Sequence, residues 1–466
     1  MLKTVARYAV ARGLPGLVNL IALALFTRLL DEHEYGQYTL LFAGVSLVYA
    51  VFIQWVSQGV LRLASVYSQR RLEFLGTVLQ LFRQLFAVAA AVLAVGIGFA
   101  SGWNSPAVIV VAVALLLSQS WHELNLKLAT ADQVPARYGL LSGARAIVSI
   151  VFGGVAGWAG GGVTGVVLGV TVGGLVPGLW VYRTTWQPSA GSKVDSNIRG
   201  ELIKYGVPLA GTFLLAYAIS TADRFLLAAY LSPAAAGAYA PAYDLTAQAM
   251  GALLLVVNLA AYPLSIAAVE SGDVNGRDQQ LGKHATLLLG LAIPAAAGMA
   301  VLAPSVSHIL GQRFAPTARE LIPLLALAQL FAGLKAFYFD LSFQLGHATR
   351  LQFVTVAAGA LVNIGLNMWL IPLLGLMGAA YATVGAYFVA LVVSWLLGRS
   401  VLVLPLPTGA LVRVTGATLA MCLVLLQVRS LTGRFALVGQ VGLGAAAYFL
   451  VLLLFARGRP RRIFGE

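Results

Sequence analysis

The stretch GVPLAGTFLLAYAISTADRFLLAAYLSPAAAGAYAPAYD, residues 206–244, opens with an apolar run of membrane-spanning length that contains Asp223 and Arg224. A spanning helix needs about 20 apolar residues. An ionisable side chain in hydrocarbon costs at least ~2.5–3.5 kcal/mol on insertion scales, so it usually faces a partner or a wet cavity. Adjacent helical residues point about 100° apart, so these two cannot pair tightly with each other. The stretch predicts a membrane helix whose two charged positions need other partners.

The end of this stretch repeats a pattern found near the N-terminus. In residues 30–38 and again in residues 231–239, a leucine is followed six positions later by glycine and eight positions later by tyrosine. A second pair of similar segments, 160–173 and 373–385, lies at a comparable offset. An even number of spans separates the matched elements, so they run in the same direction. This predicts a parallel internal duplication.

Composition places the whole chain in a membrane. The 466 residues are 60% hydrophobic and 10% charged, with a mean hydropathy of +0.87, whereas soluble domains have about 25% charged residues. Fourteen apolar stretches reach spanning length, and their continuous character excludes a barrel, whose strands alternate apolar and polar residues. The predicted fold is an all-α integral membrane protein of about 14 transmembrane helices, starting with an uncleaved first helix near 12–30.

The duplication and the polar segments predict the domain organisation. Residues 1–182 form an N-terminal six-helix bundle, and the polar segment 183–205 is a cytoplasmic linker. Residues 206–400 form a C-terminal six-helix bundle related to the first by the internal repeat. Residues 401–466 supply two peripheral helices and a basic cytoplasmic tail.

The net charge of +14 is distributed by membrane side. With the N-terminus in the cytoplasm, both ends and the even-numbered connections carry nearly all the Lys and Arg. The other side holds five of the 30 cations: Arg28, Arg313, Arg319, Arg429 and Arg434. This positive-inside pattern predicts that both termini are cytoplasmic and argues against nucleic acid as the partner.

The chain lacks the sequence signatures of enzymes and of cofactor sites. It has no Walker, zincin, nucleophile-elbow or kinase glycine-loop motif, and no two histidines have metal-ligand spacing. The single cysteine, Cys422, excludes disulfides and cysteine-based metal sites. We therefore predict no enzymatic activity, no cofactor, no metal, and no use of ATP by this chain itself.

Four cations within or near the apolar runs are candidate ligands for an anionic head group: Arg28, Arg145, Arg224 and Lys335. If they converge, they line a positive cavity between the two halves, and the arginine fork matches phosphate oxygens. The alternative is that Arg28 and Arg145, and likewise the carboxylate Asp244, extend toward lipid head groups.

Three carboxylates, Asp223, Asp244 and Asp340, are candidates for coupling transport to a proton or a cation. The alternative for each is a structural hydrogen bond to a neighbouring helix. Glycines 157, 161, 165, 169 and 173 recur every four residues and predict a close helix–helix contact, either static or sliding.

Several segments resemble one family. The segment LPGLVNLIALALFTRLLDEHEYGQYTLL (14–41) resembles the first-span signature of bacterial polysaccharide-biosynthesis flippases, which include O-antigen and exopolysaccharide exporters. These belong to the multidrug/oligosaccharidyl-lipid/polysaccharide exporter superfamily. Further similar segments are YGVPLAGTFLLAYAISTADRFLLAAYLSPAAAGAY (205–239), ILGQRFAPTARELIPLLALAQLF (309–331) and LGLMGAAYATVGAY (374–387).

The resemblance implies a function. Such a protein moves an undecaprenyl-diphosphate-linked oligosaccharide, an O-antigen, capsule or exopolysaccharide repeat unit, across the bacterial inner membrane by alternating access. A proton or monovalent cation gradient drives the step, and the partners are membrane lipids and other polysaccharide-assembly membrane proteins. By position, Arg28 and Arg224 resemble the cavity arginines of these flippases, and Arg145 and Lys335 are less direct matches.

Three alternatives remain at this point. A multidrug or metabolite antiporter of the same superfamily would favour carboxylates over arginines in its cavity. A membrane-embedded glycan polymerase, ligase or glycosyltransferase would need a sizeable catalytic loop, and no outer loop exceeds about twenty residues. A purely structural scaffold would leave the isolated charges within the spans unexplained.

Overall fold

A computed structural model describes residues 16, 18–99, 105–431 and 436–455, and these are almost entirely helical, with no strand among them. Within these residues, thirteen helical segments are long and apolar enough to cross a membrane, and a shorter apolar helix, Val18–Leu29, precedes them. The predicted all-α membrane fold is confirmed, and each of the fourteen predicted spans corresponds to one of these segments. The start of the first predicted span and the basic tail lie outside the described residues.

The chain divides into two compact units, Met1–Arg224 and Phe225–Glu466. The helices that begin in the first unit are α1 Val18–Leu29, α2 Glu32–Phe52, α3 Gln54–Leu63, α4 Arg71–Phe99, α5 Pro106–Ala131, α6 Pro135–Trp158, α7 Gly162–Val181 and α8 Ser196–Tyr230.

The second unit begins within α8, and its described residues form nine further helices. They are α9 Pro233–Glu270, α10 Val274–Val301, α11 Ala303–Ser307, α12 Gly311–Leu334, α13 Leu341–Leu345, α14 Thr349–Leu374, α15 Leu376–Gly398, α16 Thr408–Val428 and α17 Ala436–Phe455. Within the predicted linker 183–205, α8 already begins at Ser196. The predicted domain boundaries stay a prediction.

The repeated leucine–glycine–tyrosine pattern marks the start of a helix in each unit. Asp31 caps α2, where its carboxylate accepts from the Glu34 backbone N–H and the Glu34 side chain accepts from the Asp31 N–H. Ser232, 201 positions later, caps α9 by accepting from the Ala235 backbone N–H, with Pro233 in the first turn. Both capping arrangements satisfy backbone N–H groups that a helix start leaves without partners.

Glycines bring α6 and α7 into backbone contact. A Cβ atom at Gly169 would lie 2.1 Å from the Gly153 backbone nitrogen, and one at Gly173 would lie 2.1 Å from Ser149 Oγ. The predicted small-residue contact is therefore present at these two positions. In the second unit, a Cβ at Gly378 of α15 would lie 2.2 Å from the Leu370 carbonyl oxygen of α14.

The last two spans pack within the second unit against the end of α10. Leu302, just after α10, is buried together with residues of α16 and α17 in one apolar cluster: Ala417, Met421, Leu425, Tyr448 and Leu452. The Tyr448 hydroxyl donates to the Gly290 carbonyl oxygen of α10 at 2.8 Å. Apolar burial and this hydrogen bond hold α16 and α17 onto the unit.

The start of α8 is capped by a carboxylate. Asp195 Oδ1 accepts from the backbone N–H groups of Asn197 (2.7 Å) and Ile198 (3.2 Å), and Oδ2 accepts from Arg70 at 2.5 Å. The Arg70 guanidinium and these two amides hold the pKa of the Asp195 carboxyl below its usual value. Arg70 precedes α4, so the contact joins the connection before α4 to the start of α8.

Candidate functional site

A polar cavity of about 300 Å³ lies inside the first unit, among α1, α2, α5, α6 and α7. Its wall combines ionisable, hydroxyl and amide side chains with aromatic rings, which is unusual for a bundle interior at membrane depth. The polar lining residues are Asn19, Tyr38, His122, Glu123, Tyr138, Ser142, Arg145 and Ser149.

Arg145 places a cation in this cavity, beside a carboxylate. It lies on α6, and Glu123 reaches the same cavity from α5. The close approach of α6 and α7 holds this part of α6, since the Arg145 carbonyl oxygen would lie 2.8 Å from a Cβ at Gly173. The cavity offers both a strong donor and a strong acceptor, so it can bind a polar or charged group in a fixed orientation.

Arg224 lies in the apolar part of α8 and is half-buried. Its Nη1 donates to Thr39 Oγ1 of α2 at 2.8 Å. Two turns earlier, the Tyr217 hydroxyl donates to the Ala43 carbonyl oxygen of α2 at 2.7 Å. These two hydrogen bonds hold residues 217–224 of α8 against α2.

Arg28 behaves differently from the other arginines. It is exposed, and its Nη1 donates to the Ala24 carbonyl oxygen, one turn earlier in α1, at 2.6 Å. It is not among the residues that line the cavity of the first unit.

Lys335 and Asp340 bond to each other in the second unit, although the sequence assigned them to different roles. Lys335 Nζ lies 2.8 Å from Asp340 Oδ2, and the two side chains are 9% and 3% exposed. Asp340 also accepts from Ser394 Oγ of α15 at 2.6 Å and from Gln352 Nε2 of α14 at 3.3 Å. The carboxylate thus joins three helical segments, as expected for a buried charge with several donors.

The first unit contains a similar carboxylate arrangement. Asp132, which ends α5, accepts from Arg71 at 2.6 Å, and Arg137 of α6 lies 3.8 Å away. Arg137 also donates to Thr185 Oγ1, beyond the end of α7, at 2.7 Å.

These two arrangements occupy corresponding positions in the chain. Asp340 follows Asp132 by 208 positions, and Ser394 follows Thr185 by 209. In the first unit, Arg137 contacts both the carboxylate and the hydroxyl, whereas in the second unit Ser394 donates directly to Asp340. The two sites therefore share a sequence offset, and their bonding differs.

The other two candidate carboxylates occupy different environments. Asp223 is 1% exposed and lies next to Arg224 in α8. Asp244 is half-buried in α9, beside the buried Tyr243. In the described part of the chain, no group of three or more His, Cys, Asp or Glu side chains could hold a metal ion.

Sequence reasoning missed several polar residues that the helices bring together. Glu123 and His122 of α5 share the first-unit cavity with Arg145. In the second unit, Asn363 and Asn367 of α14 are fully buried, and Asn367 Nδ2 donates to Asn363 Oδ1 at 3.1 Å. The available signal was their i, i+4 spacing in an otherwise apolar span, which places both amides on one helix face.

On the adjacent helix α15, a hydroxyl pair adds to this polar interior. Thr383 Oγ1 donates to the Ala379 carbonyl oxygen at 2.9 Å and lies 3.1 Å from the Tyr239 hydroxyl of α9. Tyr239 is the tyrosine of the repeated pattern in residues 231–239, and its side chain is fully buried.

Comparison with known proteins identifies the family and the fold. A family model described as "Polysaccharide biosynthesis protein" matches residues 25–319. No curated protein sequence matched the chain. Among solved structures, the chain is similar to the lipid II flippase MurJ in an inward closed conformation, with a TM-score of 0.76 at 15% identity over 97% of this chain and 98% of that chain.

Two further structures share the fold. An inward-facing multidrug resistance MATE transporter of the MOP superfamily gives a TM-score of 0.64 at 14% identity, covering 83% of this chain and 94% of that chain. A MOP superfamily transporter from Pyrococcus furiosus, described as having a reverse polarity of its binding pocket, gives a TM-score of 0.58 at 16% identity, covering 85% of this chain and 95% of that chain. The predicted family is confirmed: the chain belongs to the polysaccharide biosynthesis protein family and has the fold of MOP superfamily transporters.

Proposed function

We propose that this protein is a flippase that moves an undecaprenyl-diphosphate-linked oligosaccharide from the inner to the outer leaflet of the bacterial cytoplasmic membrane by alternating access. The cargo class is the repeat unit of an O-antigen, capsule or exopolysaccharide. Family membership and the MurJ-like fold support transport of a lipid-linked glycan.

The observation that carries this proposal is Arg224, a guanidinium within the apolar part of α8 that a hydrogen bond to Thr39 orients. A permanent cation is costly to bury in hydrocarbon. Its presence in this apolar part of α8 therefore favours a functional role for the charge. A diphosphate is the anion that every substrate of this class carries, and the arginine fork binds phosphate oxygens in pairs. Arg28 and Arg145 are proposed as further phosphate ligands.

Lys335 contributes less to this proposal than the arginines. Its ammonium already bonds to Asp340, so binding a phosphate there would require that pair to separate. The same pair favours a structural role for Asp340. We propose that coupling to a proton or cation gradient involves Asp223, which is buried in the same helix as Arg224, with Asp244 as a second candidate.

A multidrug or metabolite antiporter is the second candidate function. It is favoured by the fold likeness to MATE transporters and by Glu123, a carboxylate in the first-unit cavity that could bind a cation. An antiporter would tolerate loss of Arg224 without any accumulation of lipid-linked precursor.

The test is complementation of a strain that lacks this gene. Wild type, Arg224→Ala and Arg224→Lys are compared for surface polysaccharide and for diphosphate-linked precursor on the inner leaflet, with Arg313→Ala as an exposed control. We expect Arg224→Ala to reduce export by at least about tenfold, because losing a charge-assisted hydrogen bond costs roughly 1.5–3 kcal/mol. Export by Arg224→Lys should fall between that of wild type and that of Arg224→Ala. Lysine keeps the positive charge and loses the paired donors of the guanidinium.

Accumulation of precursor in the Ala variant, at normal expression, supports the flippase proposal. Export equal to wild type would remove Arg224 from the substrate site. Unchanged surface glycan in the deletion strain itself, together with altered sensitivity to cationic drugs, would favour the antiporter instead.

A further inference from the structure

A second cavity, of about 520 Å³, lies in the second unit, and none of its lining residues is assigned to cargo binding. It opens between two turns: one follows α10 and leads into α12, and the other follows α16 and leads into α17. Its polar lining residues are Ser305, His308, Arg319, Arg429 and Ser430, and its apolar lining residues are Pro304, Leu431, Ala436 and Leu437.

Two guanidiniums, Arg319 and Arg429, give this cavity a positive charge. Both are exposed, and neither forms an ion pair or hydrogen bond with any residue that the structure describes. No acidic side chain is among the described residues that line the cavity. Two unpaired cations in one concavity therefore favour an anionic ligand.

The position of these arginines in the chain is unusual. Both turns connect an odd-numbered span to the following even-numbered span, on the side of the membrane that holds only five of the 30 Lys and Arg residues. The positive-inside bias disfavours cations there. Two of the five line a single cavity, which is hard to explain by scattered surface charges.

The turn that carries Arg429 is held by a buried amide. Gln440 of α17 is 2% exposed, and its Nε2 donates to the Val428 carbonyl oxygen at 2.9 Å and to the Leu431 carbonyl oxygen at 3.3 Å. A glutamine in the apolar interior of a span is costly unless it is bonded. Here it holds the backbone on both sides of Arg429 and Ser430.

The opposite turn is also held in place. His308 Nδ1 bonds to the Pro304 carbonyl oxygen at 2.6 Å. Gly311, at a φ of +82°, allows the chain to turn into α12, which carries Arg319. A residue with a Cβ atom would be strained at this φ.

The floor of the cavity is apolar and faces hydrocarbon depth. Leu437 lines the cavity and packs against the apolar cluster formed by Leu302, Met421, Leu425 and neighbouring residues. All the lining residues lie at the ends of spans, where lipid head groups meet the hydrocarbon. Cations above an apolar floor match the phosphate and the adjoining glycerol and acyl segments of a phospholipid.

We propose that this cavity binds the phosphate of an anionic membrane phospholipid, with Arg319 and Arg429 as its ligands. Its lining residues are not among the cargo residues, and the proposal does not depend on the proposed flippase activity. The same phosphate chemistry could come from free phosphate or from a lipid diphosphate, and the probes below distinguish these sources.

The test uses the purified full-length protein in detergent and measures the rise in its melting temperature with added lipid. Phosphatidylglycerol is compared with zwitterionic phosphatidylcholine, inorganic phosphate and undecaprenyl diphosphate. The variants are Arg319→Gln, Arg429→Gln and the double variant. Arg313→Gln is the matched control, because Arg313 is an exposed arginine on the same helix, α12, outside the cavity.

We expect phosphatidylglycerol to stabilise wild type and Arg313→Gln equally. The concentration needed for half of the effect should rise about tenfold in each single cavity variant, since a charge-assisted hydrogen bond to phosphate is worth about that factor. If the double variant does not fold, the comparison of the two single variants with wild type still tests the proposal.

Three results would overturn the proposal. Equal phosphatidylglycerol responses in wild type and both single cavity variants would remove the two arginines as ligands. An equal response to inorganic phosphate would show a free-anion site without lipid. A response to undecaprenyl diphosphate alone would assign the cavity to the cargo path. None of these results depends on whether Arg224→Ala blocks export.

Discussion

Asp340 accepts hydrogen bonds from Lys335, Gln352 and Ser394, so a carboxylate that is 3% exposed has donors on both oxygens. The backbone explains why Lys335 reaches it. Residues 335–339 form a π-helical turn, and the Asp340 N–H donates to the Lys335 carbonyl oxygen at 2.9 Å. This i to i+5 bond places the two residues over each other, whereas residues five apart in an α-helix lie on different faces.

We expect Lys335→Met to lower the free energy of unfolding by about 3–5 kcal/mol, because it leaves the buried Asp340 charge without its counter-ion. Adding Asp340→Asn should restore most of that loss, since a neutral amide needs no counter-ion. Denaturant unfolding of the purified protein in detergent measures both changes.

The control for this pair is Lys283→Met, which removes an ammonium that forms no ion pair with any described residue. It should change the unfolding free energy by less than about 0.5 kcal/mol. A double variant no more stable than Lys335→Met would contradict the ion-pair interpretation.

Charged positions within apolar runs could be identified from the sequence, and their partners could not. Arg145, Arg224 and Lys335 are conspicuous because their neighbours are apolar. The pairing of Lys335 with Asp340 depends on a local π-turn, and the presence of Arg145 and Glu123 in one cavity depends on the packing of α5 against α6. Neither leaves a periodic signal in the sequence.

At the scale of helices, the contact between α6 and α7 depends on small residues. Any side chain at Gly169 would overlap the backbone of α6 at Gly153. We expect Gly169→Ala to destabilise the protein by about 1–3 kcal/mol, the range for forcing extra atoms into a packed interior. Thermal unfolding in detergent provides the measurement.

Gly143→Ala is the matched control for the helix pair. Gly143 lies in α6, the other helix of the pair, and apart from its own stretch of helix no atom lies within 4 Å of a Cβ built there. Alanine favours a helix over glycine by about 0.8–1.0 kcal/mol, so this variant should be neutral or slightly more stable. If Gly169→Ala and Gly143→Ala have the same melting temperature, the glycines at the contact are not required for packing.

Sequence spacing predicted this contact and the duplicated helix starts. The four-residue glycine period indicated a close helix face, and the equal spacing in 30–38 and 231–239 indicated equivalent elements. The partner helix of the glycine face could not be predicted, because periodicity describes one helix and not the neighbour on which it packs.

At the scale of the whole molecule, the charge distribution predicts which loops face the cytoplasm. The test uses Cys422→Ala, which removes the single cysteine, as the background for Ser271→Cys and Ser430→Cys. Ser271 follows α9 and Ser430 follows α16, and both are exposed. In intact cells, a membrane-impermeant maleimide should label Ser430→Cys at once and Ser271→Cys only after lysis.

The reverse labelling pattern would contradict cytoplasmic termini. Labelling of both positions in intact cells would indicate leaky membranes, which a cytoplasmic marker protein with an accessible cysteine controls for. Lack of labelling at Ser430→Cys after lysis would mean that the cavity lined by Arg319 and Arg429 is covered.

The sequence by itself determined the class of the molecule, the number and order of its spans, its duplication and its family. These follow from hydrophobic length, charge placement and motif spacing, which are properties of contiguous residues. Only the tertiary structure decided which charges lie together: Arg145 and Glu123 line one cavity, Lys335 pairs with Asp340, and Arg319 and Arg429 line a second cavity. These arrangements depend on how helices that are distant in the sequence pack and on the conformation of the turns between them. No single stretch of sequence encodes the packing or the turn conformation.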